Sequence, residues 1–194
     1  MATTRSEDPL VWIDCEMTGL DPETDTVMSY CCFITDSNLD ILEPQGWEAI
    51  IHHDKSTLDK MNEWCIKTHG ASDLTAVCIE STTTAEEAAN TLLAYIRTCV
   101  PQAGKALLAG NSVHCDKAFL SKSPWNQVLE HLHYRILDVS SIKEAARRWA
   151  PQSVLQKVPM KKGSHTAKED ILESIAEARF YREMFFRGTY ETRV

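Results

Sequence analysis

A short apolar run that ends in two acidic residues is the feature that most limits the folds open to this chain. The run from Leu10 to Ile13 continues directly into Asp14-Cys15-Glu16. Side chains two residues apart on a β-strand leave the same face, so both carboxylates should point together from the end of a buried strand. Carboxylates held that close repel each other unless a proton or a cation lies between them, and Mg²⁺ prefers such ligands. An isolated Asp-x-Glu is more often a pair of solvated acids, so the metal-site hypothesis depends on the rest of the chain.

Composition restricts the class of protein. With 194 residues, 43% of them hydrophobic and 25% charged, the chain fits one ordinary globular domain. The stretch from Met1 to Pro9 contains Glu7 and Asp8 and has no apolar core, so we predict no signal peptide, and no run is long enough for a membrane span. Seven cysteines without a CxxC pair favour reduced thiols in an intracellular compartment, cytoplasmic or mitochondrial.

Net charge bears on the kind of substrate. A formal charge of −8 is unfavourable for binding a long polyanion, because affinity for nucleic acid depends on many basic contacts with phosphates. A nucleic-acid substrate would therefore be short or bridged by metal ions. We expect no extended nucleic-acid groove.

The order of the predicted elements indicates an α/β domain with a mixed sheet. Three strands come first and suggest an antiparallel meander, and helices then alternate with two further strands. Capping boxes at Thr84-x-x-Glu87 and Ser141-x-x-Glu144 predict two helix starts. The predicted strands are 10–13, 26–35, 47–52, 106–109 and 134–139. A helical pattern begins at residue 56, and further helices are predicted at 84–100, 113–121, 141–149 and 167–186.

Two further acids and a histidine also occur at the ends of predicted elements. Asp116 lies in the first turn of the helix after the fourth strand, at the edge where α/β sheets gather their ligands. Thr166 and Glu169 have capping-box spacing, which would bring His165 and Asp170 together at positions that apolar residues usually occupy. Taken singly, each has an ordinary explanation as a helix-start acid or an exposed helix end.

Jointly, these residues indicate phosphodiester hydrolysis. Asp14, Glu16, Asp116 and Asp170 could hold a pair of divalent cations that activate water. His165 could accept the proton of that water near neutral pH.

The same stretches resemble the oligoribonucleases, which are DEDDh exonucleases of the ribonuclease H-like superfamily, and most closely their eukaryotic small-fragment nuclease branch. The run from Glu16 to Leu20, combined with Trp64 and His69, is specific to that family. The resemblance extends from about residue 10 to residue 187 and is carried by 12–21, 63–64 with 68–69, 110–113 with 116 and 119–120, 134–135 with 138–140, and 165 with 170–171.

The resemblance implies a fold and a reaction. The fold is a ribonuclease H-like five-stranded mixed sheet flanked by helices, with an N-terminal tail at 1–9, one exonuclease domain at 10–187 and a C-terminal tail at 188–194. The reaction is removal of nucleoside 5′-monophosphates from the 3′ end of very short RNA, especially dinucleotides, by a homodimer. Two Mg²⁺ or Mn²⁺ ions would be held by Asp14, Glu16, Asp116 and Asp170, and His165 would be the general base.

The resemblance also implies a substrate site. Leu20 would wedge between two bases and Trp64 would stack on one, although core packing is the alternative for both. Tyr134 would reach the neighbouring subunit's site. A cap around the 5′-phosphate, which leaves no exit for a longer strand, would consist of His69, Ser112, Arg135 and Ser140. The remaining substrate contacts would be Met17, Thr18, Gly19 and Asn111.

Two alternatives stay open at the level of sequence. One is a proofreading-type exonuclease acting on longer nucleic acid, and the other is a catalytically silent nucleic-acid-binding protein of the same fold. The chain departs from the family pattern at Ser29, where a glutamate is usual. Since Ser29 is not a predicted metal ligand, we expect activity to survive.

Overall fold

The computed structural model describes residues 7–160 and 166–186, which build a central five-stranded sheet in the order β3-β2-β1-β4-β5. β1 pairs with β2, and β2 with β3, in antiparallel fashion, whereas β4 is parallel to both β1 and β5. The predicted mixed sheet and its opening meander are therefore confirmed. The strands are β1 Leu10–Met17, β2 Val27–Thr35, β3 Trp47–Ile50, β4 Leu107–Gly110 and β5 His133–Asp138.

Helices cover both faces of the sheet. The predicted capping box of α4 is confirmed, since Thr84 Oγ1 accepts a hydrogen bond from the Glu87 amide and the Glu87 carboxylate accepts one from the Thr84 amide. In the described ranges the helices are α1 Lys55–Leu58, α2 Glu63–Ala71, α3 Leu74–Glu80, α4 Ala85–Cys99, α5 His114–Leu120, α6 Asn126–His131, α7 Val139–Trp149, α8 Gln152–Leu155 and α9 Ala167–Tyr181, followed by a π-helical turn at Arg182–Phe186.

The start of α7 differs from the prediction, whereas α9 begins at Ala167 as predicted but without the predicted capping box. α7 begins at Val139 instead of Ser141, because the Asp138 side chain accepts a hydrogen bond from the Ser140 amide and caps the helix there. Glu144 is not part of a cap and pairs with arginines on its own helix. At α9, Thr166 makes no capping hydrogen bond to the backbone, and its hydroxyl instead lies 3.2 Å from Glu169 Oε2.

The alternation of side chains along β1 decides which helix packs near the acids. Val11 and Ile13 belong to the core beneath α4, whereas Trp12 belongs to a second core on the opposite face of the sheet. α9 contributes Ile171 and Ile175 to that second core. Because Asp14 and Glu16 share the face of Trp12, the start of α9 comes to lie beside them.

One predicted site residue and the two predicted tails fall wholly or partly outside the described ranges. His165, the predicted general base, lies in 161–165, and the predicted C-terminal tail lies in 187–194. The predicted N-terminal tail is described only from residue 7. Within the described ranges, the helices are too short or too polar to cross a lipid bilayer.

Candidate active site

Three carboxylates come together where β1 ends and α9 begins. Oxygen atoms of Asp14, Glu16 and Asp170 all lie within 4.8 Å of one another, and each side chain is partly exposed. β1 supplies the first two from one face, and the first turn of α9 supplies the third. A cluster of hard oxygen ligands with access from solvent is the donor set that Mg²⁺ and Mn²⁺ prefer, so these residues fit a divalent cation.

Burial and the negative charge of this cluster raise the pKa of Glu16. Burial, together with the nearby charges of Asp170 and Asp116, raises the pKa of Glu16 from its usual 4.5 to about 7. In metal-free protein the Glu16 carboxyl therefore holds a proton up to neutral pH. A cation would replace that proton and remove the repulsion between the acids.

Asp116 lies behind β1 and is only 6% exposed. Its Oδ1 accepts hydrogen bonds from the Cys15 amide at 3.0 Å and from the Cys15 thiol at 3.2 Å. Burial raises the pKa of Asp116 to about 6, although those two hydrogen bonds act in the opposite direction. The three-carboxylate cluster does not include Asp116, but its charge acts on Glu16.

His69 supports the same strand end. Its Nε2 lies 2.9 Å from the carbonyl oxygen of Met17, and its Nδ1 lies 3.9 Å from Glu16 Oε2. The ring is buried on α2, so the structure places His69 beside the acids. Its predicted contact with a 5′-phosphate stays a prediction.

Ser29 lies directly opposite Glu16 in the antiparallel pairing of β1 and β2. Side chains at such positions are about 5 Å apart at Cβ and leave the same face of the sheet. A glutamate at this position would add a further carboxylate next to Glu16. The buried Ser29 therefore lowers the negative charge at the edge of the cluster without removing any of its three members.

The turn after β1 presents Leu20 to solvent. Asp25 holds this turn, since its Oδ1 accepts a hydrogen bond from the Thr18 hydroxyl and its Oδ2 accepts one from the Asp21 amide. A side chain at Gly19 would overlap the Asp25 carboxylate, which explains the glycine. Leu20 is 78% exposed, so the core-packing alternative does not apply to it.

Trp64 on α2 is likewise outside the core, with 62% exposure. It faces the Leu20 turn across a cavity of about 430 Å³. The structure thus brings the two predicted base-contacting residues into one cavity with Glu16. The cavity is lined by Cys15, Glu16, Met17, Gly19, Leu20, Asn62, Trp64, Cys65 and His69.

The two predicted cap serines are in contact. Ser112 Oγ lies 3.1 Å from Ser140 Oγ, and the Ser112 amide donates to both Ser140 Oγ and Asp138 Oδ1 at 2.9 Å. Ser112 has a φ of +53°, a left-handed conformation that residues other than glycine seldom adopt. The two acceptors hold it there. Asn111 joins the pair, since its Oδ1 accepts a hydrogen bond from Ser140.

Tyr134 and Arg135 project from β5, which is an edge strand of the sheet. Tyr134 is 71% exposed and stacks on His133, with 4.5 Å between ring centroids. The Arg135 guanidinium lies 5.2 Å from the centre of the Tyr134 ring. A large aromatic side chain exposed at a sheet edge is available to a second protein surface.

Sequence reasoning missed two residues that the structure connects to this site. Cys15 holds Asp116, and Glu177 on α9 contacts Asn111. A signal for Glu177 was present in the polar stripe of α9, where Asp170, Ser174 and Glu177 recur at helical spacing among apolar residues. Nothing in the sequence pairs Cys15 with Asp116, because that contact depends on the packing of α5 against β1.

The fold is shared with solved nuclease structures. Exonuclease I of E. coli in complex with a dT13 oligonucleotide superposes with a TM-score of 0.72 at 13% identity, over 93% of this chain and 42% of that one. A second exonuclease I, from Methylocaldum szegediense, superposes with a TM-score of 0.64 at 15% identity, over 92% of this chain and 41% of that one. This chain therefore spans about two-fifths of the length of those enzymes, and the likeness concerns the fold.

Sequence comparison gives much closer relatives. A family model described as an exonuclease, RNase_T, matches residues 11–178. A probable oligoribonuclease of Schizosaccharomyces pombe is 49% identical over 90% of this chain and 67% of its own length. The mitochondrial oligoribonuclease of Homo sapiens is 47% identical over 92% of this chain and 73% of its own length. The oligoribonuclease of Vibrio cholerae is 46% identical over 94% of this chain and 98% of its own length. The chain therefore belongs to the oligoribonucleases, within the exonuclease family.

Proposed function

We propose that this protein is a metal-dependent 3′-to-5′ exoribonuclease that hydrolyses very short RNA, especially dinucleotides, to nucleoside 5′-monophosphates. The observation that carries the proposal is the cluster of Asp14, Glu16 and Asp170 beside a cavity that contains two exposed hydrophobic side chains. The acids supply a cation site, and the hydrophobic side chains supply contacts for bases. The names of the oligoribonuclease relatives support the same activity.

The predicted metal ligands, general base and base contacts each have a role in this proposal. Asp14, Glu16 and Asp170, with Asp116 through the oxygen that Cys15 does not occupy, would hold two divalent cations, Mg²⁺ or Mn²⁺. Bound cations supply a hydroxide nucleophile and neutralise charge on the departing 3′-oxygen. His165, which precedes α9 in the chain, would take the proton from the attacking water. Leu20 and Trp64 would fix the two bases by wedging and stacking.

A preference for short RNA would come from the serine pair. Ser112, Ser140 and Arg135 would bind a 5′-phosphate, and His69, whose ring lies beside Glu16, is the fourth predicted member of this cap. A dinucleotide then fits between this cap and the cations, whereas a longer strand has no exit. The acidic composition of the chain is consistent with such a substrate, since a dinucleotide needs few phosphate contacts.

We also propose a homodimer and an intracellular site of action. The exposed Tyr134 on an edge strand would insert into the partner's site, and a two-fold interface is the default geometry for such a pair. The mitochondrial names of the human and Saccharomyces cerevisiae relatives support mitochondria as one location. The cytoplasm is the other predicted compartment.

A 5′-labelled RNA heptamer tests the reaction itself. With Mg²⁺ or Mn²⁺ we expect progressive shortening from the 3′ end and release of nucleoside 5′-monophosphates. With chelator we expect no turnover. Turnover in chelator would contradict the metal mechanism, and intact heptamer under all conditions would favour the silent binding protein.

His165→Ala tests the general base. We expect turnover of a dinucleotide to fall about a hundredfold or more, the range typical for loss of a general base. Binding of Mn²⁺, followed by electron paramagnetic resonance, should change little, because the clustered carboxylates are intact. Replacement of the exposed His52 by alanine is the matched control. Full activity in His165→Ala would remove His165 from the mechanism.

A further inference from the structure

Glu177 is a buried acid that the proposed reaction does not use. It lies on α9 with 2% exposure. Its Oε1 accepts a hydrogen bond from the Tyr181 hydroxyl at 3.0 Å and lies 3.5 Å from Lys143 Nζ. Its Oε2 accepts a hydrogen bond from Asn111 Nδ2 at 3.2 Å. A carboxylate this deeply buried is costly unless its partners compensate for lost hydration, so these contacts form a built arrangement.

The Asn111 amide connects Glu177 to the serine pair. Asn111 Nδ2 donates to Glu177 and also to Ser174 Oγ at 2.8 Å, which uses both hydrogens of the amide. Its Oδ1 must therefore point the other way, where it accepts from Ser140 Oγ at 3.1 Å. Glu177 and Ser174 together thus determine which end of the amide faces Ser140.

The direction of the remaining hydrogen bonds follows from that choice. Ser140 has one hydroxyl hydrogen, and it is committed to Asn111 Oδ1. In the contact between the two serines, Ser140 Oγ must then accept, and the hydrogen belongs to Ser112. Ser112 is consequently the hydroxyl that can turn its hydrogen toward an incoming anion.

The same polar layer also touches the cation site. Ser174 Oγ, besides accepting from Asn111, donates to the backbone carbonyl of Asp170 at 2.7 Å. Asp170 is one of the three clustered carboxylates. The first turn of α9 and the serine pair are therefore joined through Asn111 and Ser174.

We propose that Glu177 is a positioning residue for recognition of the substrate's 5′-phosphate. By orienting the Asn111 amide it makes Ser112 a hydrogen-bond donor toward the phosphate oxygens. Without an acceptor at 177 only Ser174 opposes reversal of the amide. Reversal would present Nδ2 to Ser140 and leave the serine pair with the wrong hydrogen-bond direction. The inference rests on the proposed function, since it assumes that the serine pair binds a 5′-phosphate.

Glu177→Met and Glu177→Gln test this role against two dinucleotides, one with a 5′-phosphate and one with a 5′-hydroxyl. Methionine is similar in length and lacks a strong acceptor, and we expect it to raise KM for the 5′-phosphorylated dinucleotide about tenfold, the effect of one charge-assisted hydrogen bond. We expect kcat, and KM for the 5′-hydroxyl substrate, to stay within about twofold of wild type. Glutamine retains an acceptor for Asn111 and should restore most of the affinity.

Two reference variants define the scale. Arg135→Ala removes the cation of the proposed cap and should abolish the preference for a 5′-phosphate. Glu144→Met changes an exposed glutamate on α7 and should leave KM and kcat for both substrates unchanged.

If circular dichroism shows that Glu177→Met does not fold, Tyr181→Phe tests the role of Glu177 instead, because it removes only the hydroxyl bonded to Glu177. An increase in KM of about threefold, confined to the 5′-phosphorylated substrate, is then expected.

The outcomes separate this inference from the function beneath it. If wild-type protein has the same KM for both dinucleotides, the phosphate cap is wrong and the role of Glu177 is wrong with it. If wild type prefers the 5′-phosphate and Glu177→Met, or Tyr181→Phe in its place, keeps that preference, the cap stands and the role of Glu177 is overturned. An equal fall in kcat on both substrates would likewise assign Glu177 to the support of α9.

Discussion

Asp170→Asn should reduce turnover of a dinucleotide by about a thousandfold or more. Asp170 supplies the only contribution of α9 to the described carboxylate cluster, and the amide cannot replace its charge as a cation ligand. Loss of about 4 kcal/mol of transition-state stabilisation corresponds to that factor, and bound cations contribute several kcal/mol in such reactions. The measurement is single-turnover hydrolysis at saturating Mg²⁺.

Stability of the same variant distinguishes a lost ligand from a lost fold. In metal-free protein the Asp170 charge contributes to the raised pKa of Glu16, so its removal relieves repulsion between the acids. We therefore expect the metal-free Tm of Asp170→Asn to equal or exceed that of wild type. Asp54→Asn, at an exposed carboxylate, is the matched control for activity. Activity of Asp170→Asn above about a tenth of wild type would remove Asp170 from the cation site.

Cation affinity should fall at least about a hundredfold between pH 8 and pH 5. Because the pKa of Glu16 is about 7, a cation must displace a proton from its carboxyl below neutral pH. This competition lowers the cation affinity about a hundredfold by pH 5. Asp116, with a pKa of about 6, adds about tenfold if it also binds the cation. Mn²⁺ binding followed by electron paramagnetic resonance measures this directly. Equal affinity at both pH values would contradict the protonated cluster.

The stability of metal-free protein should change with pH in the opposite sense to cation affinity. The pKa of Glu16 is raised on folding, so the folded state favours the proton. Below pH 4.5, the pKa of Glu16 in the unfolded chain, the carboxyl is protonated in both states and does not destabilise the fold. The free energy of unfolding then decreases as the pH rises from 4.5 to about 7. The loss is on the order of 3 kcal/mol at most. Added Mg²⁺ should therefore raise the Tm more at pH 8 than at pH 5.

Local patterns were sufficient to predict the sheet and part of the site. The alternation of apolar and acidic residues along β1 predicted that Asp14 and Glu16 share a face, and the structure confirms it. The capping box at Thr84 predicted the start of α4 correctly, because its partners lie within one turn of helix. Such signals depend on neighbours in the sequence alone.

The start of α7 shows where local patterns are insufficient. Ser141-x-x-Glu144 has the spacing of a capping box, yet Asp138 caps the helix. The Asp138 carboxylate also accepts from the Ser112 amide, a residue far away in the sequence, so the packing of β4 against β5 selects it. Sequence spacing contains no information about that partner.

Long-range contacts equally explain why the support of the site was not predicted. Cys15 separates two acids in the sequence, and only the packing of α5 brings Asp116 to its thiol. The polar stripe of α9 includes Glu177, but its spacing does not identify the partner Asn111, which directly follows β4. Both contacts join residues more than sixty positions apart.

Relative rates on 5′-labelled RNAs of two, seven and twenty nucleotides measure the preference of this protein for very short RNA. The proposed cap accommodates a dinucleotide and obstructs a longer strand, so with Mg²⁺ we expect the dinucleotide to be hydrolysed fastest and the twenty-nucleotide RNA slowest. Chelator should abolish all three rates. Equal rates at the three lengths would contradict a site built for very short RNA and would favour an exonuclease that acts on longer nucleic acid.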